Sequence, residues 1–431
     1  MVWITACDYW TACFAEQAGM DMILGGDSLG MCVYGYEGTF RDRVNMEKHL
    51  SERTHEIEWS GIRVMFALAD EIPDVVNLGI GQPDFDTPAF IREAAKKTLD
   101  DGYTRYPPAK GFQDLRKAIA EKLKAENNIV ADPDAEIFVS VGAMQGIFNS
   151  ALHLLNPGDE VIVVDPGYDY YSQIRLFGGI PVRVPAYEKN RFKVDPDDII
   201  KAITARTKLM IINTPSNPTG AVFDREILEA IATLPRQHNI LVLSDEPYEH
   251  IIFDGKKHAS IGSFDGMQAS TISAYTLSKS YAMTGWRVGY VVAPKPFIDE
   301  MEKLMEHMVS GVTAVAQRAA LAAIKGSQDC VTEMLRAYER RRKVIDEGLN
   351  AMDGVSCILP ESTFYAFPNI SRLGMTSREL ARYLVKEHRV AVVPGSIFGN
   401  NGEGYVRISF AVNRVIIKEG IDRIRKGLKN L

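Results

Sequence analysis

Residues 276–290 read TLSKSYAMTGWRVGY. A lysine, Lys279, stands between Ser278 and Ser280, with Thr276 just before them and Arg287 eight positions on. The preceding STISAYT (270–276) has the apolar, β-branched texture of a strand. Lys279 therefore belongs where a strand ends, not on a solvated helix face. An amine becomes a nucleophile when its pKa is lowered or a carbonyl is held against it.

The commonest covalent use of such a lysine is a Schiff base with pyridoxal 5′-phosphate, which makes four further demands. The phosphate needs an anion site. SVGAMQG (140–146) reads as strand, glycine and helix start, so the backbone of Gly142, Ala143 and Met144 would present N–H groups to it. Ser278, Thr276 and Arg287 would add donors, the guanidinium in a bidentate way. The ring nitrogen needs a carboxylate, and SDEPYEH (244–250) ends a strand with Asp245. At ~4 Å and an effective dielectric near 20 that contact is worth roughly 4 kcal/mol. The phenolic oxygen needs donors, which Tyr248 and Asn217 of NTPSNPTG (213–220) supply. The ring face needs a stacking partner, and Tyr168 of DPGYDYY (165–171) follows another strand. Each feature alone has an ordinary reading: a glycine turn, a helix cap, a proline-rich loop, a packed tyrosine. Their joint occurrence at strand ends is what points to the cofactor.

The elements that must hold these residues alternate. IFVSV (137–141), EVIVVDP (160–166), KLMIINTP (208–215) and NILVLSDEP (239–247) are short apolar runs, with helical patterns such as DREILEAIATLPRQH (224–238) between them. Strands apolar on both faces, separated by helices, predict an α/β region with a mostly parallel sheet. Ligands of such sheets gather at the carboxyl ends of the strands. Beyond about residue 297 a helix-rich stretch leads into a smaller α+β region containing TFYAFPNI, RVAVVPGSIF and GYVRISFA.

Composition narrows the function classes. The chain has 431 residues, 46% hydrophobic and 24% charged, with a formal net charge of −7 and no dense basic cluster. That balance speaks against nucleic-acid binding. The five cysteines (Cys7, Cys13, Cys32, Cys330, Cys357) lack zinc-ligand spacing, so no metal site is expected and free thiols in a reducing cytoplasm are. No apolar run approaches the ~20 residues of a membrane span, and no signal peptide is evident.

From about residue 46 to the C-terminus the chain resembles the fold type I pyridoxal-phosphate aminotransferases, specifically the aspartate/aromatic group. The resemblance rests on LGIGQPDFDTP (78–88), YTRYPPAKGFQDLR (103–116), NTPSNPTG, SDEPYEH, SKSYAMTGWRVGY, AVVPGSIFG (391–399) and GYVRISFA (404–411). It implies an α/β fold: a large domain with a mostly parallel seven-stranded sheet flanked by helices, plus a smaller α+β domain. The expected division is an extension at 1–45, an N-terminal arm with a small-domain segment at 46–83, a large cofactor-binding domain at 84–310 and a C-terminal small domain at 311–431. Lys279 matches the Schiff-base lysine and Arg407 the arginine that grips the substrate α-carboxylate. Gly81 matches a glycine whose backbone helps hold that carboxylate. Tyr106 matches a tyrosine that reaches the neighbouring subunit's cofactor phosphate, which implies a homodimer with shared active sites. The activity implied is ping-pong transamination between amino acids and 2-oxo acids. β-Elimination by a C–S lyase on the same scaffold would use the same residues. A transcription regulator with an aminotransferase-like domain would need a basic helical N-terminus, which is missing here.

The side-chain preference is less sharply written. Aspartate-selective relatives can place a lysine after the phosphate-loop glycine, where this chain has Met144. In WSGIRVMF (59–66), Ser60 is a small polar residue suited to a substrate carboxylate, but Ile62 follows it. Met144 and Ile62 suit apolar or aromatic side chains, so aromatic and/or dicarboxylic donors are expected, with 2-oxoglutarate as acceptor. Residues 4–40 resemble instead the start of ketopantoate hydroxymethyltransferase, a TIM barrel, with Asp27 at its magnesium-binding position. A barrel needs about 200 residues, so this piece is expected to be catalytically silent and dispensable, with Met46 a natural start.

Overall fold

The computed structural model describes residues 3–6, 22–25 and 50–429. Expectations for Cys7, Cys13, Asp27 and Cys32 lie outside them. The chain divides into two units, 1–57 and 58–431. In the first, β1 (Trp3–Ala6) and β2 (Met22–Gly25) pair in parallel, and a 3-10 turn covers Glu52–Glu56.

The second unit opens with the helix Gly61–Asp70 and the short strand β3 (Val76–Asn77). A seven-stranded sheet follows, built from β4 (Ile137–Ser140), β5 (Glu160–Asp165), β6 (Ile180–Pro185), β7 (Thr207–Asn213), β8 (Leu241–Asp245), β9 (Thr271–Thr276) and β10 (Gly289–Val292). Its order is β4-β10-β9-β8-β7-β5-β6. Only β10 runs against its neighbours. The mostly parallel sheet read from the apolar runs is thus present. β6 and β10 complete it; β6 (IPVRVP) is partly exposed along nearly its whole length and carries two prolines and an arginine, and β10 sits beyond the lysine segment, so neither stands out as an apolar run.

Alternation explains why both faces of the sheet are buried. Leu209 and Ile211 of β7 join one apolar cluster with Val161, Val163 and Leu243. Met210 and Ile212 join another with Ile162 and Val242. Helices such as Gly142–Leu154 and Arg225–His238 contribute to these two clusters. A third cluster belongs to the smaller region, where β11 (Tyr365–Ala366), β13 (Val393–Pro394) and β14 (Val406–Ser409) form an antiparallel sheet. RVAVVPGSIF does not make one strand: β12 (Val390–Ala391) pairs with β3, and β13 turns to β14. Among the described residues no helix is long and apolar enough to cross a membrane.

The consequence for function lies at one edge. The carboxyl ends of β4, β5, β7, β8 and β9 meet there. Because β10 is antiparallel, its beginning meets them too: Gly289 pairs with both Thr276 and Ser140. Asn213 stands beside Asp245, and Asp245 beside Ala274.

Behind this edge lies a buried ion pair. Lys122 Nζ donates to Glu249 Oε2 at 2.5 Å and to Asn127 Oδ1 at 2.9 Å, and the two charged side chains are only 7% and 8% exposed. Burial alone would raise the Glu249 carboxyl, but Lys122, His250 and His258 outweigh it and leave it at about 2. Removing one partner strands a buried charge. Lys122→Met should therefore cost about 3 kcal/mol of stability, read as a lower urea midpoint. The loss should be present at neutral pH and shrink as pH falls through the ordinary carboxylate range toward 2, where Glu249 takes up its proton. An unchanged midpoint would remove the ion pair from the account.

Candidate active site

A cavity of about 560 Å³ opens at the strand edge. It is closed on its far side by Tyr365 and Arg407 of the smaller region and by Ser60, Ile62, Arg63 and Phe66 at the start of the first helix. Of the residues expected from sequence, Ser60, Gly81, Ala143, Met144, Tyr168, Asn217, Asp245, Tyr248, Thr276, Ser278, Lys279, Arg287 and Arg407 all line it. Gly142 stands just behind the wall. Tyr106 is 88% exposed and lines no part of it.

Lys279 leaves the sheet three residues after β9. Its Nζ donates to the Gly81 carbonyl oxygen at 2.5 Å and lies 5.8 Å from the centre of the Phe364 ring. Burial, and then the cations Arg407 and Arg287, lower its pKa from 10.5 to about 8, while Asp245 pulls the other way. An appreciable share of this amine is therefore unprotonated near neutrality, as a nucleophile or base requires.

Asp245 closes β8 and is 5% exposed. Tyr170 Oη donates to its Oδ2 at 2.6 Å, and Asn213 Nδ2 reaches the same oxygen at 3.3 Å. Burial raises the carboxyl to about 7; the Tyr170 hydrogen bond and Lys279 oppose the rise and Glu246 adds to it. Such a carboxyl is short of a cation, which a protonated ring nitrogen would supply.

The anion site is assembled from β4 and β10. Gly142 has φ +70°, and a Cβ there would lie 2.5 Å from Arg287 Nη2. The absence of that carbon lets the guanidinium lie against the start of the helix Gly142–Leu154. No side chain caps that helix, so its first N–H groups are free for an anion. Arg287 itself makes only long contacts, to Thr284 O at 3.2 Å and Val141 O at 3.4 Å. Ser278 and Thr276 are held together by a 2.9 Å hydroxyl pair.

Arg407, on β14, is 1% exposed. Nη1 donates to Asn217 Oδ1 at 3.0 Å and Nη2 to Gly79 O at 2.8 Å, while Nε has no partner. Its plane lies 4.3 Å from the Tyr365 ring centre and 5.0 Å from that of Phe398. Neither acceptor is charged, so this buried guanidinium lacks the carboxylate it is shaped to take. Asn217 is fixed by its own N–H, which donates to Asn213 Oδ1 at 2.9 Å. Tyr248 Oη sits 3.1 Å from Tyr365 Oη. Burial, and then the Asp245 charge, push the half-buried Tyr168 phenol up to about 12.

These donors and acceptors fit pyridoxal phosphate. An uncapped helix start with Arg287, Ser278 and Thr276 suits its phosphate, Asp245 its ring nitrogen, and Asn217 with Tyr248 its phenolic oxygen. Sequence reasoning missed Tyr170, Asn213, Tyr365 and Arg63. Asn213 opens the NTPSNPTG run at a strand end and was findable there. Tyr170 competes with two other tyrosines in DPGYDYY. Tyr365 reaches the cavity from the smaller region, a placement that local pattern does not encode.

The family model for aminotransferase class I and II matches residues 73–424, and that for ketopantoate hydroxymethyltransferase matches residues 1–56. The chain is 45% identical over 383 residues to an aspartate aminotransferase of Pyrococcus abyssi, covering 88% of this chain and 98% of that one. It is 43% identical to aromatic-amino-acid aminotransferase 2 of Thermococcus litoralis, again over 88% and 98% of the two chains. The crystal structure of an aromatic aminotransferase from Pyrococcus horikoshii superposes with a TM-score of 0.81 at 44% identity, covering 85% of this chain and 99% of that one.

The electrostatics of the cavity can be read without a substrate. In the cofactor-free protein, reductive methylation followed residue by residue by mass spectrometry should give Lys279 a midpoint near pH 8. Lysines of the unfolded chain should follow the ordinary amine value. A Lys279 midpoint equal to theirs would mean that Arg407, Arg287 and burial do not act on the amine as described.

Proposed function

The chain belongs to the class I and II aminotransferases, which use pyridoxal 5′-phosphate to exchange amino groups between amino acids and 2-oxo acids, and from that premise we propose that its donors are L-amino acids with aromatic or dicarboxylic side chains and its acceptor 2-oxoglutarate. The observation that carries the catalytic reading is the convergence of a lowered-pKa amine, a cation-seeking carboxylate and a carboxylate-seeking guanidinium in one cavity.

When bound, the cofactor supplies a carbonyl for amines to condense with and a ring that accepts electrons from the substrate's Cα. The residues of this chain supply the rest. Arg407 takes the substrate α-carboxylate, gaining a charged partner beside its neutral ones, while Asn217 holds one edge of the guanidinium in place. The Gly81 carbonyl holds Lys279 Nζ ready. Lys279, freed of its covalent role by the incoming amino acid, would take the proton from Cα as a base and, as an acid, give it to the carbon that had carried the cofactor's carbonyl, the reverse transfer serving the 2-oxo acid half of the exchange. Asp245, tied by Tyr170, would hold the ring nitrogen in its protonated form. The apolar wall of Ile62, Phe66, Ile80, Met144 and Ile147 receives an aromatic side chain.

We infer further that the protein is a cytoplasmic homodimer, with Tyr106 turned toward the partner's phosphate site. The chain divides in this proposal at 45/46, 83/84 and 310/311, and the site needs nothing from residues 1–45. A β-elimination lyase would release ammonia and a 2-oxo acid with no acceptor present.

Titration of the visible cofactor band tests the proposal. Phenylalanine, tyrosine, glutamate or aspartate should convert it, and 2-oxoglutarate should restore it. Lys279→Ala should keep weak cofactor binding and lose turnover almost entirely; appreciable transamination by that variant would displace Lys279 from its role. Asp245→Asn should slow turnover by about a hundredfold or more, the scale on which one electrostatic group at a reacting centre counts, with the fold intact. A chain beginning at Met46 should bind cofactor and sediment as a dimer like the full chain, and failure of either would give the first 45 residues a function.

A further inference from the structure

Tyr248 and Tyr365 face each other at the cavity wall, and both phenols are buried, 3% and 2% exposed. Their oxygens stand 3.1 Å apart, and among the described residues neither hydroxyl has another partner. A hydroxyl carries one proton, so within such a pair one oxygen donates and the other accepts. The assignment of Tyr248 to the cofactor's phenolic oxygen, on which this inference rests, directs the Tyr248 proton there. The Tyr248 oxygen is then left with lone pairs only, and its bond to Tyr365 survives only with Tyr365 as donor. The Tyr365 ring is fixed on several sides. Its strand β11 pairs with β14, the Arg407 guanidinium carbon lies 4.3 Å from the ring centre, and the rings of Phe364 and Tyr248 meet it edge-on with centres at 4.9 and 5.9 Å. Gly81 leaves the space that the hydroxyl occupies, since a Cβ there would run into Tyr365 Oη.

We propose that Tyr365 is a positioning residue for the reaction: it donates to Tyr248, turns the Tyr248 proton toward the cofactor's phenolic oxygen and strengthens that second bond. Successive hydrogen bonds polarise one another in a site of low dielectric, so a donor to Tyr248 makes Tyr248 the better donor. Negative charge on the phenolic oxygen is stabilised accordingly, and the proton reported by the cofactor's visible band leaves at lower pH. The relay also gives Tyr365 a reason to be tyrosine. Phenylalanine would fill the same space under Arg407, so packing alone does not need the oxygen, and burying a hydroxyl costs desolvation.

The test is a pH titration of the visible band in the holoenzyme and in Tyr248→Phe, Tyr365→Phe and the double variant. Tyr248→Phe should raise the midpoint by about one unit or more, the scale of a hydrogen bond to a charged oxygen. Tyr365→Phe should raise it by about a quarter of that amount. In the Tyr248→Phe background, Tyr365→Phe should add nothing, because no Tyr248 proton remains to be directed. An unmoved midpoint in Tyr365→Phe, or equal shifts in both backgrounds, would overturn the relay while leaving Tyr248 in its place. An unmoved midpoint in Tyr248→Phe would overturn the placement of Tyr248 and the relay with it. Calorimetric binding of 3-phenylpropionate should be the same in Tyr365→Phe as in the unsubstituted enzyme, because the ring under Arg407 is kept. Weaker binding of that acid together with an unmoved band would assign the hydroxyl to the Arg407 site instead.

Discussion

Charges held away from water without full partners govern this molecule. Arg407 is buried with an amide and a carbonyl for company. Asp245 is buried with a tyrosine. Each arrangement is unfavourable by itself, because desolvation is complete and compensation is not. Both act on the amine between them: Arg407 and Arg287 depress Lys279, and Asp245 lifts it. The cavity is thus preorganised for ligands that bring the missing charges. The desolvation is incurred once, on folding, and need not be repeated when a substrate arrives.

Such an arrangement requires a rigid frame, and the sheet edge supplies it. Parallel strands deliver Asn213, Asp245 and Thr276 side by side, each fixed by its neighbour's register. A parallel strand in the place of β10 would carry Arg287 to the opposite edge. Reversing that one strand puts Arg287 beside the start of the helix after β4. The frame is braced from behind. Ser260 Oγ donates to Glu246 Oε2 at 2.5 Å, Asn127 Nδ2 donates to Ser260 Oγ at 2.9 Å and to Glu249 Oε2 at 2.9 Å, and Lys122 completes the chain. This network holds the segment that carries Asp245 and Tyr248. Its members are satisfied, so it stiffens the site instead of weakening it.

The sequence made legible whatever depended on strand ends. Apolar runs located five of the seven strands, and polar residues at and just beyond their ends line the cavity. The missed features share a physical cause. β10 is short and follows a turn in which Arg287 has a left-handed backbone, so no periodicity announces it. Tyr365 and Arg407 reach the cavity only because β11 and β14 pair in a separate sheet; Arg407 was found through its motif, and Tyr365, without one, was not. RVAVVPGSIF reads as one strand, yet a change of partner at Val392 divides it between two sheets, which is a property of the neighbours and not of the run.

The same distinction explains why chemistry is easier to read than substrate. The groups proposed to handle the cofactor and the α-carboxylate sit in buried strands and their turns, where a substitution strands a charge or opens a cavity. Their identities are constrained by stability as well as by catalysis. The remaining wall of the cavity comes partly from the first turn of a peripheral helix, where Ser60 and Arg63 are exposed. Substitutions at such positions cost little stability. A scaffold of this kind keeps its reaction fixed while leaving its preference open to change at a few exposed residues, and reading that preference requires knowing which of them face the cavity.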